Sequence, residues 1–372
     1  MTEDNFKLDR YLNREIKTLF KDVLKTIIKE PSLAKFFIQT YRWQKRAGNL
    51  RLSWEKKGVH VPPFMIFSIT NRCNLSCKGC YAQAFKRNSS SELSLEKFEE
   101  IINEAYELGI SIILIAGGEP LVRKEFLTIT GKYPDIVFPV FTNGLLIDEE
   151  MIKILEKQKN VIPVLSIEGN EEETDSRRGC GVYEHIKKII EKLKSRSVFW
   201  GISMTLTSKN FEVITEETFI KEVMGLGCRL FFYIGYVPVK EGTEEFILNP
   251  EQESKVQSII NIFKSKFPAI FIAFPGGEKE MGGCLSSGRG FVHVSPEGNL
   301  EPCPFAPYSD TSLQNLALKD ALKSEFLSKI RENHNKLSES KGGCALWENR
   351  QWVQSLLNAK PSEIAEMKCK PI

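Results

Sequence analysis

Residues 71–81, NRCNLSCKGCY, place three cysteines within eight positions, at Cys73, Cys77 and Cys80. A structural zinc site usually has two separated pairs of ligands, which this triplet does not provide. The spacing also differs from the C-x2-C-x2-C-x3-C run of ferredoxins, and the next cysteine is Cys180. Three thiols on one loop can bind three irons of a cubane cluster and leave the fourth iron without a protein ligand. The sequence therefore predicts an open metal position, as a catalytic site requires.

The triplet follows the first of several short apolar runs that alternate with helical stretches. Such near-continuous apolar strands, separated by helices, indicate a parallel sheet buried on both faces. Six units predict an α/β fold with a partial (β/α)6, TIM-like barrel rather than a closed barrel of eight. The predicted strands are 63–69, 110–116, 136–142, 161–167, 198–206 and 229–236, and the helices between them are 94–108, 123–131, 148–158, 182–195 and 215–225.

Polar and glycine-rich motifs follow the predicted strands at their carboxyl ends. GGEP (117–120) follows the second strand, TNG (142–144) ends the third and SIEG (166–169) ends the fourth. Because ligands of parallel α/β sheets bind at the carboxyl ends of the strands, we expect these motifs and the cysteine triplet to converge on one rim.

Composition divides the chain into three predicted parts. Residues 1–62 carry 14 Lys and Arg against 7 Asp and Glu, a net charge of +7, and form a basic helical extension. Residues 63–250 form the barrel. Residues 251–372 form a small separate domain with its own cysteines and a hairpin whose strands begin at Phe291 and Leu300. We expect the N-terminal helices to pack on the barrel, with membrane-surface contact through residues 10–50 as the alternative.

Bulk properties exclude several functional classes. The overall charge of +3 is too balanced to indicate nucleic-acid binding, and the longest apolar runs are far shorter than the roughly 20 residues of a membrane helix. The charged N-terminus, MTEDNFKLDR, lacks the apolar stretch of a secretory signal, which predicts a cytoplasmic protein, with peripheral membrane attachment as the alternative. Nine cysteines in a reducing compartment favour metal binding or catalysis over disulfides.

The C-x3-C-x2-C triplet and GGEP together resemble the radical S-adenosylmethionine (SAM) superfamily over roughly residues 60–240. The resemblance implies that Cys73, Cys77 and Cys80 hold a 4Fe-4S cluster whose fourth iron chelates SAM. Many members have an aromatic residue just before the third cysteine, where this chain has Gly79. The SAM-binding residues expected from the resemblance and from the strand ends are Tyr81, Gly117, Gly118, Glu119, Pro120, Asn143, Ser166, Glu168, Arg177 and Ser203.

A second cysteine set lies in the C-terminal part, where Cys284, Cys303 and Cys344 each neighbour glycine or proline. The hairpin GRGFVHVSPEGNLEPC resembles the start of the Twitch and SPASM extensions, which hold auxiliary Fe-S clusters. A single-cluster, Twitch-like domain is the better match because a dense downstream cysteine run is missing. The fourth ligand of this cluster is expected to be either Cys369 or a residue other than cysteine. Alternatively, the fourth iron has no protein ligand. A zinc site with four thiolates is the alternative, since both metals accept such ligands.

The implied reaction is reductive cleavage of SAM to a 5′-deoxyadenosyl radical, which takes a hydrogen atom from a substrate. The expected outcome is oxidation or cross-linking of a peptide, a protein-derived group or a small molecule, with ferredoxin or flavodoxin as electron donor. Two alternatives stay open at this point. One is a radical SAM enzyme that acts on a membrane lipid or polyprenyl substrate, and the other is a non-catalytic Fe-S electron carrier or assembly protein.

Overall fold

The computed structural model describes residues 11, 12, 14, 16, 18, 33–85, 91–276, 283–337 and 344–358. Within these residues nine strands form one sheet, in the order β7-β6-β5-β4-β3-β2-β1-β8-β9. The strands are β1 (Phe64–Ser68), β2 (Ile112–Ala116), β3 (Phe138–Thr142), β4 (Val161–Ser166), β5 (Gly201–Leu206), β6 (Leu230–Gly235), β7 (Ile270–Phe274), β8 (Phe291–Val294) and β9 (Leu300–Glu301).

The described helices precede, connect and follow the strands, and those between the parallel strands cover the outer face of the sheet. They are α1 (Ala34–Glu55), α2 (Tyr81–Ala84), α3 (Leu95–Leu108), α4 (Phe126–Thr130), α5 (Glu149–Lys157), α6 (Glu171–Arg178), α7 (Val182–Ser195), α8 (Phe211–Ile214), α9 (Glu217–Gly225), α10 (Pro250–Lys266), α11 (Leu318–Ala321), α12 (Glu325–Glu332), α13 (Ala345–Glu348) and α14 (Arg350–Asn358). Short 3₁₀ turns lie at Pro120–Arg123, Glu244–Phe246 and His334–Lys336.

The six predicted barrel strands are confirmed as β1 to β6, in consecutive and parallel order. The sheet is a curled half-barrel, as expected for a partial TIM-like fold. Amphipathic helices cover it with their apolar faces, and capping residues specify where these helices begin and end. In α3, for example, the Ser94 hydroxyl accepts a hydrogen bond from the Lys97 N–H, and the helix ends at Gly109, which has φ +90°.

The C-terminal part differs from the expected small separate domain. The predicted hairpin is present as β8 and β9, but β8 pairs in parallel with β1 and so extends the barrel sheet. A further strand, β7, pairs in parallel with β6 and was absent from the prediction. The prediction ended the barrel at residue 250 and therefore missed this strand, although its five apolar residues are typical of a buried strand. The boundaries at residues 62 and 250 stay predictions.

The N-terminal residues of α1 close the amino-terminal end of the half-barrel. Phe36 and Phe37 are buried there in a cluster with side chains from the inner face of the sheet, among them Val164 and Phe232. Phe37 meets Phe199 edge to face, with ring centroids 5.6 Å apart. For α1 this agrees with the expectation that the N-terminal helices pack on the barrel, whereas most of the chain before Leu33 lies outside the described residues.

The rest of α1 packs against the outer helix α3. Trp43 stacks on Tyr106 with centroids 4.3 Å apart, and Arg51 donates a hydrogen bond of 2.6 Å to the Gly109 carbonyl. Ile38 and Tyr41 are the large apolar side chains of α1 that remain exposed. Among the described helices, none combines the length and apolar character needed to cross a bilayer.

Candidate active site

A cavity of about 290 Å³ opens at the carboxyl ends of the barrel strands. Two cysteine sets that are far apart in the sequence line this one cavity. Cys73, Cys77 and Cys80 come from the loop after β1, and the C-terminal cysteines come from segments that precede β8, follow β9 and precede α13. The C-terminal members are Cys284, Cys303 and Cys344.

Most of the other predicted site residues also line this cavity. Pro120 and Glu168 are exceptions, because both are buried behind the wall. Cys369 lies outside the described residues. The predicted residues on the wall, apart from the cysteines, are Tyr81, Gly117, Gly118, Glu119, Asn143, Ser166, Arg177 and Ser203.

The cysteine loop begins against the backbone of the GGEP motif. The Gly118 N–H donates to the Thr70 carbonyl at 2.8 Å, and the Glu119 N–H donates to the Arg72 carbonyl at 2.8 Å. A β-carbon at Gly118 would overlap the Arg72 carbonyl oxygen. Glycine at this position therefore allows the two backbones to approach and sets the path of the loop.

Two carboxylates anchor the same end of the loop. Glu92 Oε1 accepts from the Thr70 hydroxyl at 2.9 Å and from the Asn71 N–H at 2.7 Å. The Asn71 side-chain amide donates to Glu297 Oε1 at 2.5 Å, and Glu297 lies in the turn between β8 and β9. The loop therefore starts from a point that GGEP and the C-terminal hairpin both hold.

Glu119 joins the carboxyl ends of β2 and β3 from a buried position. Its Oε1 accepts from the Thr142 hydroxyl at 2.7 Å and the Leu121 N–H at 3.0 Å, and its Oε2 accepts from the Asn143 N–H at 2.7 Å. Burial raises the pKa of Glu119, although these hydrogen bonds oppose the shift. The carboxyl group thus orients Asn143, whose side-chain amide donates to Asn74 in the cysteine loop at 2.8 Å.

Glu168 is a buried carboxylate that holds two arginines. Its Oε1 lies 2.5 Å from Nη1 of Arg177 and 2.5 Å from Nη2 of Arg178, and its Oε2 accepts from the Thr205 N–H at 2.9 Å. The Arg177 carbonyl in turn accepts from the Lys78 N–H at 2.9 Å. This network places positive charge beside the middle of the cysteine loop.

Two thiols of the loop, those of Cys73 and Cys77, are hard to ionise without a bound cation. The protein around the sulfur of Cys73 raises the pKa of that thiol to about 11, even though solvent reaches the side chain. Burial also raises the pKa of Cys77, and the guanidinium groups of Arg178 and Arg177 partly oppose that rise. Thiolates in such surroundings are stabilised by bound metal, so the loop fits a metal cluster in its donor chemistry.

The strand ends also supply hydroxyl groups to the cavity. Ser166 and Ser203 lie on neighbouring strands, with their Oγ atoms 3.1 Å apart. The wall also includes apolar side chains, among them Ile66, Phe141 and Phe274. The cavity therefore combines polar side chains at the carboxyl ends of the strands with apolar side chains from the strands themselves.

Sequence analysis missed several residues of the cavity wall, including Arg178, Thr205, Tyr236 and Phe305. Tyr236 directly follows β6, so the rule that places ligands at strand ends would have found it. Phe305 lacks such a signal. It reaches the cavity because its ring meets Tyr81 edge to face, with centroids 5.2 Å apart, and this contact connects the two cysteine segments.

The sequence of this chain is similar to those of several known proteins. Residues 67–216 match the radical SAM superfamily. The AdoMet-dependent heme synthase of Methanosarcina barkeri is 26% identical over 322 residues, which cover 79% of this chain and 90% of the synthase. The antilisterial bacteriocin subtilosin biosynthesis protein AlbA of Bacillus subtilis is 28% identical over 285 residues, which cover 73% of this chain and 60% of AlbA.

Solved structures show a similar fold. Streptococcus suis SuiB bound to its precursor peptide SuiA superposes with a TM-score of 0.61 at 17% identity, and the match covers 82% of this chain and 74% of SuiB. At this level of identity the likeness concerns the fold alone.

Proposed function

Residues 67–216 form a radical SAM domain, and on this premise we propose that the chain cleaves SAM reductively and removes a hydrogen atom from a peptide or small-molecule substrate. The observation that carries the proposal is the single cavity lined by Cys73, Cys77 and Cys80 together with the strand-end residues expected to hold SAM. When bound by these cysteines, a 4Fe-4S cluster supplies the electron that cleaves SAM to the 5′-deoxyadenosyl radical.

The residues of the chain act by binding and positioning. Asn143 and the paired hydroxyls of Ser166 and Ser203 offer hydrogen bonds to the polar groups of SAM. Arg177 offers positive charge to its carboxylate, and its Nε is buried with no hydrogen-bond partner among the described residues. The apolar side chains of the wall are suited to limiting water around a bound substrate, and a reactive radical requires such exclusion.

The second cysteine set is proposed to bind an auxiliary Fe-S cluster. Cys284, Cys303 and Cys344 line the same cavity, so an electron acceptor held there would lie close to a substrate radical. The Cys284 segment is well held, because Arg289 donates to the carbonyls of Gly283 at 2.9 Å and Cys284 at 2.7 Å. Cys369 stays a proposed fourth ligand, and a zinc site is the competing assignment.

The apolar wall also bears on the substrate. Ile66, Leu114, Ile234 and Phe274 line the same cavity as the cysteine loop. These side chains suit an apolar group better than a charged one. Similarity to the bacteriocin biosynthesis protein AlbA supports a peptide-borne group, and similarity to the heme synthase supports a small molecule. A membrane-lipid substrate gains less support, because Phe36 and Phe37 face the barrel.

Anaerobic reconstitution, followed by addition of dithionite and SAM, tests the proposal. Wild type should release 5′-deoxyadenosine, and Cys77→Ala should release none. Cys303→Ala should still cleave SAM but contain about half the iron of wild type. If the protein were an electron carrier, neither wild type nor either variant would release 5′-deoxyadenosine. If Cys303→Ala contained as much iron as wild type, and wild type also bound zinc, the zinc assignment for the C-terminal cysteines would be favoured.

A further inference from the structure

We propose that Ser68, His293 and Glu301 are positioning residues that set the register of the β8–β9 hairpin on β1, and thereby the place of the auxiliary cluster. The proposal rests on the auxiliary cluster proposed above. The three side chains form a chain of hydrogen bonds across three strands. Nε2 of His293 lies 2.8 Å from Oγ of Ser68, and its Nδ1 lies 2.8 Å from Oε2 of Glu301. Each of the three residues is at most 4% exposed.

This chain of hydrogen bonds joins the two segments that carry the cysteine sets. Ser68 is the last residue of β1 and precedes Cys73 by five positions, and Glu301 is the last residue of β9 and precedes Cys303 by two. His293 lies between them, because β8 pairs with β1 on one side and with β9 on the other. A shift of the hairpin against β1 would therefore move Cys303 relative to the cysteine loop.

Serine, histidine and glutamate in this order also occur as the nucleophile, base and orienting acid of hydrolases. That role requires a serine that a substrate can reach. Ser68 is only 4% exposed, and none of the three residues is among the described residues that line the cavity. The buried position therefore favours a positioning role over hydrolysis.

Strand pairing alone specifies the register of this hairpin weakly. β8 pairs with β1 over four residue pairs, and β9 pairs with β8 over only two. A slip by one residue would turn every side chain of a strand to the other face of the sheet. His293 would then lose Ser68 or Glu301 and leave polar groups buried without these hydrogen bonds, which is unfavourable. Buried polar groups can specify register in this way.

The turn of the hairpin is attached to the same part of the chain. Asn71, three residues after Ser68, donates from its side-chain amide to Glu297 in that turn. The hairpin is thus held to the start of the cysteine loop at two points, by His293 in β8 and by Glu297 at the turn. Loss of the His293 contacts would leave the turn attached but free the strands to shift, so that Cys303 would take more than one position.

Electron paramagnetic resonance (EPR) of the reconstituted protein tests the proposal. Cys77→Ala removes the SAM cluster, so the dithionite-reduced protein shows the auxiliary cluster alone. In this background His293→Leu, which offers no hydrogen bond, should broaden the auxiliary signal because the cluster ligands take several positions. His293→Gln should keep the signal of the background variant, because its amide offers both a donor and an acceptor. With Cys77 present, His293→Leu should still release 5′-deoxyadenosine, since Gly118 and Glu92 still hold the loop.

Asn160→Leu is the matched control for the loss of buried hydrogen bonds. Asn160 directly precedes β4, at the end of the strands opposite to the cavity. Its side-chain amide donates to the carbonyls of Thr130, Tyr133 and Ile136 at 3.1–3.2 Å. This control should lose stability but keep the auxiliary EPR signal, because it is remote from both cysteine sets.

If His293→Leu does not fold, Ser68→Ala replaces it, because that change removes only the contact with β1. An unchanged auxiliary signal in the folded variant would overturn the proposal, as would an equal broadening in Asn160→Leu. Loss of SAM cleavage with an intact auxiliary signal would also overturn it, because the hydrogen bonds would then serve the cysteine loop instead. A wild type that holds zinc at the C-terminal cysteines would refute the proposed auxiliary cluster itself.

Discussion

Arg178 forms two contacts with the same oxygen of Glu168, one through Nε at 2.8 Å and one through Nη2 at 2.5 Å. Both side chains are buried, at 11% and 1% exposure, directly behind the cysteine loop. The position of positive charge beside Cys77 therefore depends on one carboxylate, which also holds Arg177.

Glu168→Gln should destabilise the chain by about 3 kcal/mol, because it leaves two buried guanidinium groups without their counter-charge. Urea unfolding of the cluster-free protein measures the change. Glu149→Gln is the matched control, since Glu149 also pairs with a base, Lys192 at 2.8 Å, but at the surface. That control should unfold like wild type, and an equally small effect of Glu168→Gln would contradict the assigned role.

Gly118→Ala should disrupt the start of the cysteine loop. Its β-carbon would overlap the Arg72 carbonyl oxygen, which belongs to backbone and cannot move without shifting the loop. We expect a loss of about 3 kcal/mol in unfolding free energy, together with reduced iron after reconstitution.

Gly225→Ala provides the control for that substitution. No atom lies within 4 Å of a β-carbon built at Gly225, the last residue of α9. This variant should be neutral or more stable by up to about 1 kcal/mol, because alanine favours helix. Equal iron loading by both variants would show that the close approach of GGEP is unimportant.

Phe37→Ala should destabilise the half-barrel by about 3 kcal/mol, because it opens a cavity in the cluster that closes its amino-terminal end. Ile38→Ala, at a side chain that is 51% exposed on the same helix, should change stability by less than about 1 kcal/mol. Chemical denaturation of both variants measures the difference. Similar effects of the two substitutions would mean that α1 does not close the barrel.

Glu119 should contribute a pH-dependent term to stability. Burial raises the pKa of its carboxyl group, so the folded chain takes up this proton at higher pH than the unfolded chain does. Protonation therefore favours the folded state as the pH falls from neutral toward the ordinary range of glutamate. The difference in unfolding free energy, wild type minus Glu119→Gln, should increase over that interval. Urea titrations at several pH values measure it, and a difference that decreases would contradict the raised pKa.

The barrel could be predicted from the sequence because each of its elements carries its own local signal. Apolar runs at strand length, helical periodicity and capping residues such as Ser94 are properties of neighbouring residues. Residues of the cavity wall could be predicted when they lie at the end of a strand, as Asn143 and Ser203 do.

Contacts between distant segments could not be predicted in this way. Glu168 was expected to contact SAM. In the structure it is buried behind the cavity wall, where it pairs with Arg177 and Arg178 of the helix that follows it in the sequence. The pairing of β8 with β1 joins residues more than two hundred positions apart in the sequence. A local sequence pattern does not predict which strand edge a hairpin will pair with. The contact of Tyr236 with Gly79 has the same origin.

The pairing of β8 with β1 also affects how the chain can be divided. β1 lies between β2 and β8, so all of its backbone partners are within the sheet. Truncation after residue 250 would turn this strand, which leads into the cysteine loop, into a bare edge that can pair with another molecule. We therefore expect the isolated barrel segment to self-associate and precipitate, so both cysteine sets have to be studied in the intact chain.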